Sequence, residues 1–234
     1  MGLYVGQSAG MDKKGPLSVS KIEGGRLMKH YIGISLMLLG LWGCTAAPVK
    51  ELPENVTLSE PQSRMGSTVR LVDAVTFERQ GAVKQSPATC VSLNVDNSEV
   101  TLSDSSASFV GAYTGTYYDI ESSRKEGGGA TLQHADEESG VVVAKGVTEY
   151  TSGGLMPIGH AARYKLLVAP MPGKTVVQFK DIEYAQKSTG YMENTGFQRL
   201  GTWWGSGVMD AYAAMEQQAD KVLDCIYSES LVGE

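Results

Sequence analysis

Three histidines and three cysteines are the side chains here best suited to chemistry near neutral pH. His134-Ala135-Asp136-Glu137-Glu138 groups one imidazole with three carboxylates. Oxygen-rich sets of this kind suit a divalent cation. The spacing lacks the glycine-containing calcium loop and falls at a strand turn, so a solvated polar turn is the plainer reading. His160 follows Pro157-Ile158-Gly159. A serine nucleophile would need it or His134 as base, with a carboxylate to orient the ring. Ser152 and Ser206 lie near glycines, but there is no Gly-x-Ser-x-Gly element. A P-loop, a dinucleotide-binding fingerprint, HExxH and CxxC are also missing from the sequence. No metal and no cofactor is expected.

The segment from Tyr191 to Trp204 offers binding rather than catalysis. It carries Tyr191, Met192, Phe197, Trp203 and Trp204 among Gly190, Gly196, Gly201 and Gly205. Tyrosine and tryptophan are frequent interface anchors. Tyr191, Phe197, Trp203 and Trp204 are therefore a candidate partner surface, the alternative being a plug that closes the core edge.

Cys44 has its own context. The apolar run Ile32–Leu41 has Lys29 ahead of it and ends in Leu41-Trp42-Gly43-Cys44. A transmembrane helix needs roughly 20 apolar residues, so this run is too short to span and has signal-peptide length. The four residues resemble the lipobox of bacterial lipoproteins, with an aliphatic residue at −3, a small one at −1 and an obligatory cysteine; Trp42 at −2 is unusual. That resemblance implies export, cleavage before Cys44, a thioether to diacylglycerol and a palmitate-type chain on the new amine. Two or three acyl chains anchor stably where one does not. Thr45 stands where enterobacterial lipoproteins retained in the inner membrane carry Asp, which points to the outer membrane, facing the periplasm. Residues 28–43 read as the signal peptide and 44–66, with Pro48, Pro53 and Pro61, as a lipidated flexible tether. Residues 1–27 read as an extension ahead of a start at Met28, since purine-rich codons for Glu23-Gly24-Gly25 would resemble a ribosome-binding site.

Lipidation of Cys44 leaves Cys90 and Cys225. In an oxidising periplasm that even remainder predicts a Cys90–Cys225 bridge, two separate buried thiols being the alternative. The whole chain has 234 residues and a formal charge of −6. From Cys44 onward there are 15 basic and 24 acidic residues, a net of −9. An acidic domain repels nucleic acid and anionic headgroups, so no nucleic-acid partner is expected.

These groups need elements to hold them. Residues 69–77 predict a strand with Leu71, Asp73, Val75 and Phe77 on one side. Residues 90–95 and 100–102 alternate about Asp96-Asn97 and predict a hairpin. Phe109, Tyr113, Tyr117 and Ile120 recur at helical spacing and predict a helix over 106–124; a pair of aromatic strands is the alternative. Strands are expected at 131–134, 141–147, 164–168 and 176–184, joined by short turns into an antiparallel sheet. Val208, Tyr212, Met215, Ala219, Val222 and Ile226 form a helical stripe, with Ser206 as N-cap. The expectation is a single α+β domain over 67–234: an antiparallel sheet with the long C-terminal helix, and one earlier helix, packed on one face.

The order of Ser139–Gly146, Tyr164-Lys165-Leu166, Gly173-Lys174, Phe179-Lys180-Asp181-Ile182 and a final helix is similar to the lipoprotein domain of unknown function 4468. Over about residues 130–226 that resemblance implies a TATA-binding-protein-like α+β fold, a lipoprotein context and no known enzymatic activity. The resulting expectation is a membrane-anchored envelope lipoprotein with a non-enzymatic binding or structural role and an envelope protein partner. The alternative is a periplasmic small-ligand binder or hydrolase using His134 and His160, which requires the two rings to converge.

Overall fold

A computed structural model describes residues 51–64, 67–153, 157–203 and 205–229. Cys44, the expected signal peptide, the extension before it and Trp204 lie outside the described residues.

Thirteen strands and two helices make up this part. The first strands are β1 (Val56–Leu58), β2 (Gln62–Arg64), β3 (Ser67–Val69) and β4 (Val72–Gln80). Helix α1 (Pro87–Asn94) precedes β5 (Glu99–Asp104), β6 (Phe109–Val110), β7 (Tyr117–Tyr118) and β8 (Ser122–Gly127). Then come β9 (Leu132–Ala135), β10 (Val142–Ser152), β11 (Ile158–Met171), β12 (Lys174–Gln186), β13 (Gln198–Arg199) and α2 (Val208–Tyr227). The main sheet runs β1-β4-β12-β11-β10-β9, all antiparallel. One edge of β12 is shared: β4 pairs with its first half and β13 with Glu183 and Tyr184.

The three long strands form because their apolar residues alternate and their turns are built for reversal. Pro172 fixes φ and Gly173 takes φ 78°, the two conformations a tight turn between β11 and β12 requires. Alternation then puts Val142, Ala144, Leu166, Val168, Val177 and Phe179 in one core. α2 lays Val208, Met215, Ala219, Val222 and Ile226 on that core, as its stripe demands, with Tyr212 partly buried beside them. The left-handed residue Gly207 occupies the N-cap; Ser206 sits one place earlier, and its Oγ accepts from the Val208 N–H at 3.4 Å. Among the described residues no helix is long and apolar enough to cross a membrane.

Four expectations are corrected. Residues 87–94 form α1 instead of the first arm of a hairpin. Pro87 opens this helix, where its missing N–H costs nothing, and Pro87, Cys90 and Val91 share a buried face. A disulfide therefore joins helix to helix, Cys90 to Cys225, across a sequence separation of 135. Gln218 adds a hydrogen bond to the Asn94 carbonyl at 2.8 Å. Secondly, residues 106–124 contain no helix, and the strand alternative applies. Thirdly, the fold begins before residue 67, because Val56–Leu58 pairs with β4 and Leu52, Val56 and Leu58 pack on the core. The pairing slips between Thr57 and Leu58, opposite Asp73. Asp73 is thereby exposed while Val72 and Val75 are buried, which breaks the expected side of β4. Lastly, the sheet face away from the helices is partly covered by the β5·β8 hairpin, through Val100 and Leu102 on Ala161 and Ala185.

Candidate functional site

The β5·β8 hairpin does not end where it leaves the sheet. Beyond the Asp104–Ser122 pair the two strands continue as a narrow ribbon through β6 and β7. Its base is fixed by buried polar groups. Asp104 accepts the N–H of Ser106 at 3.0 Å and the backbone N–H of Asn194 at 3.1 Å. The Asn194 amide donates to the carbonyls of Ser103 at 3.2 Å and Gln186 at 2.9 Å, and its oxygen accepts the Gly196 N–H at 3.1 Å. The Ser106 hydroxyl, then the Asn194 backbone, hold the Asp104 carboxyl below its ordinary value. Ser103 also bonds Lys187 and Thr189 through its backbone, so β5 extends the end of β12.

The ribbon itself has no such packing. Phe109 faces Tyr118 across the strands and Val110 faces Tyr117. Successive side chains of a strand point to opposite faces, so each face carries one of these apolar pairs. Phe109 and Tyr118 stack at 5.0 Å between ring centroids. On the other face Tyr117 meets Tyr191 edge to face at 6.5 Å. Tyr113 at the tip is fully exposed. Of the 13 exposed large hydrophobic residues among those described, eight are Phe109, Val110, Tyr113, Tyr117, Tyr118, Ile120, Tyr191 and Met192. Exposed apolar residues scattered singly need no explanation, but a contiguous group marks an interaction surface. No Lys or Arg occurs between Asp104 and Arg124, whereas Asp119 and Glu121 are present, with Glu193 beside Met192. Tyr117, and then Asp119 after burial, raise the Tyr191 phenol above its ordinary value.

The structure divides the residues nominated from the sequence. Tyr191 is 74% exposed and belongs to the ribbon surface. Phe197 packs on Val100, Leu102, Ala161 and Ala185, under the Arg163 guanidinium at 4.3 Å. Trp203 is partly buried, its ring over Gly201, where an added Cβ would come within 1.6 Å of it. Phe197 and Trp203 thus close the core edge and are corrected out of the partner surface.

His134 and His160 do not converge. His134 pairs with Val143 and His160 with Tyr150, seven residues further along β10. An odd step along β10 puts the two rings on opposite faces, displaced by about 23 Å along that strand at 3.3 Å per residue. His160 Nε2 lies 3.2 Å from the Ser152 hydroxyl and the ring stacks on Tyr150, but Nδ1 is buried without a partner. Burial lowers its pKa, with Asp210 opposing. Among the described residues no carboxylate is hydrogen-bonded to this ring; its polar partner is the Ser152 hydroxyl. Ser206 is buried at the start of α2. Asp136 accepts from the Ser139 hydroxyl at 2.6 Å and the Glu138 N–H at 3.0 Å, which lowers its pKa and caps the turn that follows β9. Among the described residues no group of three or more His, Cys, Asp or Glu could hold a metal ion. A cleft of about 250 Å³ beside Lys145 and Gly146 holds two ion pairs in its lining, Arg163 with Glu183 at 2.6 Å and Lys165 with Asp181 at 2.7 Å.

The aromatic residues of 109–118 are absent from the candidate surface read from the sequence, because their spacing predicts a helix there. Their signal was composition: Ser, Thr, Gly and Tyr with two internal glycines, more like a turn-forming recognition loop than a helix.

No protein-family model matches the sequence, and no curated protein matches it. Among solved structures, the crystal structure of a DUF4468 family protein from Bacteroides ovatus ATCC 8483 is a neighbour at 12% sequence identity and a TM-score of 0.31. The match covers 70% of this chain and 90% of that one.

Proposed function

We propose that this chain is an envelope lipoprotein, held at a membrane through acylated Cys44, whose folded part is a non-enzymatic docking domain for an envelope protein. The observation that supports docking is the ribbon: apolar pairs on both of its faces, exposed to water, on a base fixed by Asp104 and Asn194. The lipidation half rests on the sequence Leu41-Trp42-Gly43-Cys44 and its preceding apolar run. The outer membrane, periplasmic side, is the location in keeping with Thr45. Stable anchoring by two or three chains would keep the ribbon at the membrane at high effective concentration for a partner there.

Two measurements test this. Cells making the chain are labelled with radioactive palmitate and fractionated. The native protein should carry label and sediment with membranes, and Cys44→Ser should lose both; an unlabelled native chain rules out the anchor. For docking, Phe109→Ser with Tyr117→Ser should abolish association with the envelope partner while the melting curve stays the same. Association that survives the double substitution rules out the ribbon as its site.

A further inference from the structure

The ribbon's two-faced composition constrains how a partner must hold it. A strand pair lying on a flat surface needs one apolar face, with a polar face toward water. Here Phe109 and Tyr118 occupy one face, and Val110 and Tyr117 the other. Tyr191 meets the Tyr117 ring edge to face, and all four residues of the two pairs stay 44–61% exposed. An isolated hairpin is marginal in water, and exposed rings on both sides give it no core. A single covering surface would leave one apolar pair wet.

Charge narrows the occupant further. The segment between Asp104 and Arg124 has two carboxylates, Asp119 and Glu121, and no cation. Aromatic faces also attract guanidinium and ammonium groups, an arrangement this chain already uses where Arg163 lies over Phe197. Anionic headgroups repel such a segment, and the polybasic residues that bring proteins to them are missing from it. Tyrosine with Ser, Thr and Gly buries large area at low cost in side-chain freedom, which suits insertion between protein walls.

We infer that the ribbon enters a cleft of a protein partner whose two apolar walls cover both of its faces and whose rim carries lysine or arginine. This rests on the docking role proposed above and adds the shape and charge of the receiving site.

The test uses the full-length chain in the cells that make it. The photoreactive residue p-benzoylphenylalanine replaces Phe109 in one variant and Tyr117 in another, so that each face reports separately. After irradiation the adducts are digested and mapped by mass spectrometry. The inference expects one and the same polypeptide from both positions, joined at two different segments. It also expects Asp119→Asn with Glu121→Gln to lower the adduct yield about tenfold, equivalent to about 1.4 kcal/mol. An adduct from only one position overturns the two-walled cleft. Lipid adducts, or a second copy of this chain at both positions, overturn the partner. A yield unchanged by the charge substitutions overturns the basic rim and leaves docking standing. No adduct at either position, with the melting curve unaltered, takes down the docking role itself.

Discussion

Asn194 donates its backbone N–H to the carboxylate of Asp104 at 3.1 Å, linking residues 90 positions apart at the root of the ribbon. Asn194 is 3% exposed and spends its side chain on three further backbone groups. Replacing it by Ala leaves the carbonyls of Ser103 and Gln186 without this donor. Asn194→Ala should cost about 1–3 kcal/mol in urea unfolding. It should also speed amide exchange at Ser106, whose N–H bonds the same carboxylate. A loss below about 0.5 kcal/mol, the ordinary scatter for a surface change, would refute this.

Asp104 also makes the ribbon root acid-sensitive. Its carboxyl is held below the ordinary value, first by the Ser106 hydroxyl and then by the Asn194 backbone N–H. A folded value below the unfolded one, about 3.9, gives stability that is complete above that pH and is lost as pH falls through the lower, folded value. Stability measured from pH 6 down to pH 2 should therefore fall less steeply in Asp104→Asn than in the native chain. Equal slopes would exclude the assignment.

On the alkaline side burial raises two phenols, those of Tyr150 and Tyr164, the latter to about 12. The Tyr164 hydroxyl lies 2.8 Å from Thr148 Oγ1 inside the core. The unfolded phenol ionises near 10, so the unfolded state loses its proton first and stability declines between about 10 and 12 as pH rises. Tyr164→Phe should flatten that decline in denaturant titrations. The native protein should also show two late-ionising tyrosines, Tyr150 and Tyr164, by ultraviolet absorbance.

Gly146 should resist even one added methyl. A Cβ there would come within 2.7 Å of both the Tyr164 ring and Val95 Cγ1. Overfilling a packed site costs about 1–3 kcal/mol. Gly146→Ala should be destabilised by that amount in thermal melting, and a neutral result would mean that β10 and α1 can separate at this point.

Tyr113 is the opposite case. Its side chain is fully exposed at the ribbon tip. Tyr113→Ser should change stability by no more than about 0.5 kcal/mol while weakening association with the partner. A measurable drop in melting temperature would show that the ring supports the fold instead.

The elements that read well from the sequence are those with one buried side. β10, β11 and β12 alternate over long runs, and α2 repeats its apolar stripe over five turns, so pattern and packing agree. α1 was hidden because Val91, Leu93 and Val95 imitate strand alternation, yet Leu93 is 64% exposed and the buried face is Pro87, Cys90 and Val91. Eight residues give too little helical repeat to outweigh that. In the ribbon the spacing of Phe109, Tyr113, Tyr117 and Ile120 matched a helix because a tip and two short strands happen to place aromatics at those intervals. A helical stripe needs a surface to bury it, and these residues stay about half exposed or more on two short strands and their tip. Phe197 and Trp203 take the alternative of a plug at the core edge: glycine-punctuated aromatics can equally fill a seam, and segment 198–202 is hydrogen-bonded to both β12 and residues 70–72.

The Cys90–Cys225 link encloses every strand from β5 to β13, the ribbon included, while β1 to β4 lie outside the ring. A protease that clips the protruding tip near Tyr113 would open that ring without releasing anything. The severed molecule would keep its full mass on a non-reducing gel and separate into two bands only once thiol is added.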